Sequence, residues 1–155
     1  MPIHLVWGND YASSIREIEH LIDIYIDPSW SSFNISRLDG SDINQSFRAL
    51  DEIKSPPLGQ GDRVVLVKRS VFCNGCSTAL ANQLENAINL IPEQTHLILH
   101  NENKPDRRLK STKLIQNSIK LSPLSSEKSF PLPLPWDIAG QKDLVHNIAR
   151  ELNVN

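Results

Sequence analysis

The sequence predicts an α/β protein with a three-layer, doubly wound, mostly parallel sheet. Two observations carry this. Short apolar runs of strand length alternate with longer segments whose apolar residues recur at helical spacing. One run, Arg63-Val64-Val65-Leu66-Val67-Lys68, holds four consecutive apolar residues, mostly β-branched, and suits a strand covered on both faces. Strands separated by helices of this length are joined by right-handed crossovers. At 155 residues, with 39% hydrophobic and 22% charged side chains, the chain is about one domain long and globular in composition.

Ile3-His4-Leu5-Val6-Trp7, closed by Gly8, reads as the first strand. Asn9 or Asp10 then caps a helix with Ile15, Ile18, Leu21 and Ile22 on one face, and Pro28 ends that region. A second strand is expected over 33–38, where Phe33, Ile35 and Leu38 alternate loosely. Asp39-Gly40-Ser41-Asp42 is turn and cap chemistry ahead of a helix carrying Ile43, Phe47 and Leu50. That helix must end by Ser55, because a residue before proline disfavours α conformation. After the Arg63-to-Lys68 strand come a helix over about 78–90, a strand Thr95-His96-Leu97-Ile98-Leu99-His100, and a helix over 109–116.

Residues 122–135 then hold four of the ten prolines and four serines, the composition of a linker. Beyond it Leu144, Val145, Ile148 and Leu152 make one amphipathic stripe. This helix either opens a second domain, the chain then being part of something longer, or packs back on the first. The division expected is thus an α/β domain over 1–121, a linker over 122–135 and a helical start over 136–155.

Composition excludes several classes. Sixteen basic against eighteen acidic residues give a formal charge of −2, which argues against a surface devoted wholly to phosphates but leaves room for a local basic face. No apolar run approaches the ~18–20 residues of a membrane span. The N-terminus lacks the basic and apolar regions of a secretory signal. Two cysteines are too few for a disulfide scaffold, so a reducing, cytoplasmic setting is expected.

Four places can carry function. The loop Trp7-Gly8-Asn9-Asp10-Tyr11-Ala12 occupies the strand–helix junction where such a fold holds phosphate, yet it has one glycine, no lysine, and an aspartate where the anion should sit. Gly59-Gln60-Gly61 precedes a strand, the wrong end for a phosphate cradle. Cys73-Asn74-Gly75-Cys76 lies between a strand and a helix, where it is a dithiol, half of a zinc site, or simply structural. His96 and His100, ~13 Å apart along one strand, cannot both complete that zinc site. Arg107, Lys110 and Lys113 follow i, i+3 spacing, either for contact with phosphates or as a solvated face. Finally, Ser55-Pro56-Pro57-Leu58-Gly59-Gln60-Gly61-Asp62 pre-orders its backbone with two prolines. It either presents Leu58 outward as an anchor or tucks it under its own sheet. No G-x-S-x-G or H-E-x-x-H constellation is present.

Taken together, Leu5-Val6-Trp7-Gly8-Asn9-Asp10, Leu38-Asp39-Gly40, Ser55-Pro56-Pro57-Leu58-Gly59 with Asp62-Arg63-Val64-Val65-Leu66-Val67-Lys68, Pro92-Glu93-Gln94-Thr95-His96-Leu97-Ile98-Leu99 and Lys104-Pro105-Asp106-Arg107-Arg108-Leu109 resemble the N-terminal region of the delta subunit of the bacterial DNA polymerase III clamp loader. The Cys73-to-Cys76 insertion and Leu109-Lys110-Ser111-Thr112-Lys113-Leu114 look most like the cyanobacterial branch. The resemblance implies an AAA+-like domain, a degenerate P-loop NTPase core without ATP binding or cofactor, followed by the first helix of a small helical lid. It implies a non-catalytic subunit, counted within a DNA-directed DNA polymerase holoenzyme. Such a subunit binds the ring-shaped sliding clamp (the polymerase III beta subunit) and holds one interface open during replication. Its clamp-binding tip maps onto Pro56, Pro57, Leu58 and Gly59, and many relatives carry Phe where this chain offers Leu58 or Gly59. The remaining loader subunits would be reached through C-terminal parts, and DNA only indirectly.

Overall fold

The computed structural model describes residues 2–132. Five parallel strands form one sheet, ordered β2-β3-β4-β1-β5. They are β1 (Ile3–Trp7), β2 (Ile35–Asp39), β3 (Arg63–Lys68), β4 (Thr95–Asn101) and β5 (Ser126–Ser129). The helices are α1 (Tyr11–Tyr25), α2 (Ser31–Asn34), α3 (Ile43–Glu52), α4 (Thr78–Ile88) and α5 (Lys110–Leu121). A 3-10 turn, Pro28–Trp30, precedes α2.

Alternation along the strands makes two cores. Val65, Val67, Leu97 and Leu99 point to one face, where they meet Ala49 and Leu50 of α3, Leu80 and Leu84 of α4 and Ile115 of α5. Val64, Leu66 and Ile98 point to the other, against Ile18, Leu21 and Ile22 of α1. The order is therefore three helices, sheet, one helix: the expected three layers. Because all five strands run parallel, all helix-to-strand connections collect at one edge of the sheet, the N-terminal ends of the strands, and all strand-to-helix connections at the other, the C-terminal ends.

Caps delimit the helices much as the sequence suggests. Asp10, Asp42 and Ser77 cap α1, α3 and α4, each accepting from a backbone N–H of the first turn. Three expectations are corrected. Phe33 is not in a strand: Asp27 caps a further turn, the chain winds on to Asn34, and β2 begins at Ile35. Helix α5 runs to Leu121 rather than Gln116, because Ser118 and Ile119 continue its inward stripe. Within the stretch read as linker, Ser126–Ser129 forms the edge strand β5. Its side chains are mostly exposed, so it has no apolar signature and is held by backbone pairing to β1. The Leu144-to-Leu152 stripe, with residues 136–155, lies outside the described residues.

Beneath the C-terminal end of α1 the apolar face is interrupted by a buried polar chain. The His96 Nε2–H donates to Asp62 Oδ2 (2.8 Å), which leaves Nδ1 to accept from His4 Nε2–H (3.0 Å). His4 Nδ1 in turn accepts from the Ser126 hydroxyl (2.9 Å). Tyr25 stacks on His96 with ring centroids 3.7 Å apart. In this arrangement both imidazoles are neutral. Burial pushes the His4 pKa down to about 4, with His96 and Lys128 acting in the same direction. His96 is also lowered, by burial against the opposing pull of Asp62.

An unfolded His4 takes up a proton near pH 6.5 that the folded one refuses until about pH 4. Stability is therefore complete above pH 6.5 and declines as pH falls toward 4, by on the order of 3 kcal/mol from this residue. Urea midpoints measured from pH 7 to pH 4 should fall accordingly. A His4→Gln variant should show a visibly flatter profile; an unchanged slope would refute the assignment.

Candidate functional site

At the strand-to-helix edge, the β1–α1 junction is closed by the protein itself. Gly8 sits at φ 131°, and a Cβ there would run into the carbonyl of Phe130. That carbonyl accepts the Asp10 N–H (2.9 Å), while Asn9 Oδ1 accepts the Leu132 N–H (2.6 Å). The Asp10 carboxylate takes the Ser13 N–H (3.2 Å) and the Ser13 hydroxyl (2.7 Å). The N–H groups and the positive helix end that a phosphate would use are thus occupied by an internal carboxylate and by the chain leaving β5.

On the three-helix face, Arg107, Lys110 and Lys113 are all exposed. Lys110 is paired with Glu85 of α4 and also donates to Asn82 (3.4 Å). No ion pair engages Arg107 or Lys113 among the described residues. Arg107 lies in the turn ahead of α5 rather than on it. It borders a shallow cleft with Gln116, Ile119, Lys120 and Glu127. Lys120 was missed in the sequence, although it falls seven residues after Lys113 on a helix that carries no acidic residue.

At the opposite edge, residues 55–62 connect α3 to β3. The segment is pinned at its root: Thr95 Oγ1–H donates to the Ser55 carbonyl (2.7 Å), and the Asp62 N–H donates to the Tyr25 carbonyl (2.9 Å). Between these points the buried Asn34 side chain grips the backbone of Leu58 twice. Its Oδ1 accepts the Leu58 N–H (2.7 Å) and its Nδ2–H donates to the Leu58 carbonyl (2.8 Å). Gly59, at φ 67°, lies flat on the Trp30 indole, where a Cβ would collide with the ring. The result is that Leu58 is 54% exposed instead of tucked under the sheet, with Pro56 exposed and Pro57 half-buried beside it. Asn34, Trp30 and Phe33 were not legible as part of this site. Asn34 acts from 24 positions away, and only the fold brings it there.

A five-stranded parallel sheet in the order β2-β3-β4-β1-β5, with helices on both faces, defines a three-layer, doubly wound α/β fold. The family model for "DNA polymerase III, delta subunit" matches residues 4–123, and the chain belongs to that family. Among solved structures, it is similar to the DNA clamp loader delta protein of Bacillus subtilis, with a TM-score of 0.65 and 20% identity over 86% of this chain and 39% of that one. It is also similar to a DNA polymerase III gamma subunit-related protein from Thermotoga maritima, with a TM-score of 0.55 and 19% identity over 94% of this chain and 45% of that one. The chain therefore spans less than half the length of either. No curated protein matches at a significant level. No helix among the described residues is long and apolar enough to cross a membrane.

Cys73 and Cys76 do not have the surroundings of a redox pair. Cys73 is fully buried, and its carbonyl accepts the Asp106 N–H (2.8 Å), tying the β3–α4 loop to the β4–α5 loop. Burial pushes its thiol up to about 11, and burial raises Cys76 as well. The α4 N-terminus that could have favoured a thiolate is capped by the Ser77 hydroxyl. No group of three His, Cys, Asp or Glu able to hold a metal gathers among the described residues. His96 and His4 are engaged with each other and with Asp62. At neutral pH, labelling of Cys73 by a disulfide reagent should be roughly tenfold or more slower in the native chain than in denaturant. Fast native labelling with an apparent pKa below 7 would restore the dithiol reading.

Proposed function

We propose that the chain is the clamp-binding module of a clamp-loader delta subunit, acting at the bacterial sliding clamp in the cytoplasm, with its sequence nearest the cyanobacterial branch. The observation that carries the reading is Leu58, exposed on a loop whose backbone is fixed at both its N–H and its carbonyl by Asn34. Pro56, Pro57 and Gly59 complete the tip. A leucine buried in a partner's pocket contributes about 1.5–3 kcal/mol, and a pre-ordered stem spares most of the entropy that docking a loose loop would cost.

Ring opening needs no chemistry in this chain. A protein that binds an opened clamp interface more tightly than a closed one shifts the equilibrium toward the open form by that difference. The internally occupied Gly8–Asp10 junction supports a module without an ATP site, with hydrolysis in neighbouring subunits. Contacts with those subunits would lie in parts beyond this domain, over a lid beginning in residues 136–155. Arg107, Lys110 and Lys113 would meet DNA phosphates carried through the ring.

Binding of the full chain to the sliding clamp of the same organism, measured beside Leu58→Ala, tests the reading. A loss of about 2 kcal/mol, roughly 30-fold in Kd, is expected for an anchor. Unchanged binding, or none at high micromolar concentration, would reject it. For DNA, Arg107→Ala and Lys113→Ala should each lower the salt dependence of binding by about one unit of slope. Lys110→Ala should do less, its charge being already paired with Glu85. Equal effects at all three positions, or none, would remove the phosphate role.

A further inference from the structure

We propose that Leu58 is one half of a composite docking element whose other half is Trp30 and Phe33, and that its occupant is an uncharged apolar pocket on the partner protein wide enough for side chains from two separate segments. The inference rests on the clamp-binding reading above and specifies what the partner must offer.

The two segments are built as one surface. Phe33, 57% exposed, is adjacent in sequence to Asn34, and Asn34 holds both polar groups of the Leu58 backbone. Trp30 bridges them: its indole is the floor on which Gly59 rests, and its ring lies 6.0 Å from that of Phe33. The spacing falls within the range for interacting aromatic pairs, so Phe33 is steered by a neighbour rather than swinging freely. An exposed aromatic held in place costs little entropy to bury, which is the character of binding hot spots.

Charge identifies the occupant. The segments Pro28-Ser29-Trp30-Ser31-Ser32-Phe33-Asn34-Ile35 and Ser55-Pro56-Pro57-Leu58-Gly59-Gln60-Gly61 contain no ionisable side chain, in a chain that is 22% charged. The adjoining Arg63 guanidinium is turned onto the Phe33 carbonyl (3.1 Å) and the Ser36 hydroxyl (3.5 Å), so the side chains the two segments themselves offer are uncharged and suit an uncharged pocket rather than nucleic-acid phosphates. Asn34 is accordingly a positioning residue: buried and out of the partner's reach, it sets the spacing between the two halves.

The test compares four forms of the full chain against the isolated sliding clamp: unaltered, Leu58→Ala, Phe33→Ala and Asn34→Ala. A synthetic peptide of residues 53–62 is measured alongside. Phe33→Ala should weaken binding at least fivefold with an unchanged thermal midpoint, since the side chain is exposed. The peptide should bind at least 100-fold more weakly than the folded chain. Asn34→Ala should weaken binding although it removes no exposed side chain, and circular dichroism will show whether its fold is kept. Should Leu58→Ala lose affinity while Phe33→Ala stays within twofold, or should the peptide match the folded chain, the composite element is wrong and clamp binding stands. Should the unaltered chain not bind the clamp, both fall. Should sedimentation show a dimer that Phe33→Ala dissolves, the patch serves a second copy of this chain and the inference is overturned.

Discussion

Everything in this structure depends on the burial of β3 and β4 on both faces. Val64 through Val67 and Leu97 through Leu99 are without solvent contact. A parallel pair buried in this way must have helices on either side and cannot be closed by hairpins. The helices then take up both faces, and only the two edges of the sheet remain for function. One edge receives the strand-to-helix loops, the other the loops that return from helices.

The two edges have been treated in opposite ways. At the first, the chain leaving β5 lies over Gly8 and Asp10 caps α1 from within, so the usual ligand position of a doubly wound fold is filled by its own backbone and carboxylate. At the second, the return from α3 to β3 is stiffened by Asn34, Trp30 and two prolines and leaves an apolar side chain in water. Rigidity at this second edge continues inward. Asp62, at the foot of the tip, is the terminal acceptor of the His96–His4–Ser126 chain, which runs beneath α1 to the far edge strand. The tip's foot and β5 are therefore joined through side chains as well as through the sheet. The cost is two imidazoles that must stay neutral to remain in place.

Residues that looked chemically suggestive are mostly structural. The CxxC sequence supplies a turn whose backbone secures the β4–α5 loop, with Gly75 taking the positive φ that the turn requires. Lys110 holds α5 to α4 through Glu85, whereas Arg107 and Lys113 on the same basic stretch carry no ion pair among the described residues. The likeness between them in sequence hid a division that only the neighbouring helix creates.

What the amino-acid sequence determined alone was the alternation of elements, the caps at Asp10 and Asp42, the central Arg63–Lys68 strand and the position of the Leu58 loop. Each is written in local signals: periodicity, a capping side chain, a proline, all acting within a few residues. The tertiary structure decided the rest. Ser126–Ser129 became a strand through backbone pairing with β1, which leaves no mark on side-chain polarity. Phe33 moved from a presumed inward strand position to an exposed helical turn. Whether Leu58 faces water or the core rested on Asn34, 24 residues away. Such outcomes turn on hydrogen bonds between groups distant along the chain, and their energies exist only once the buried sheet has brought those groups together.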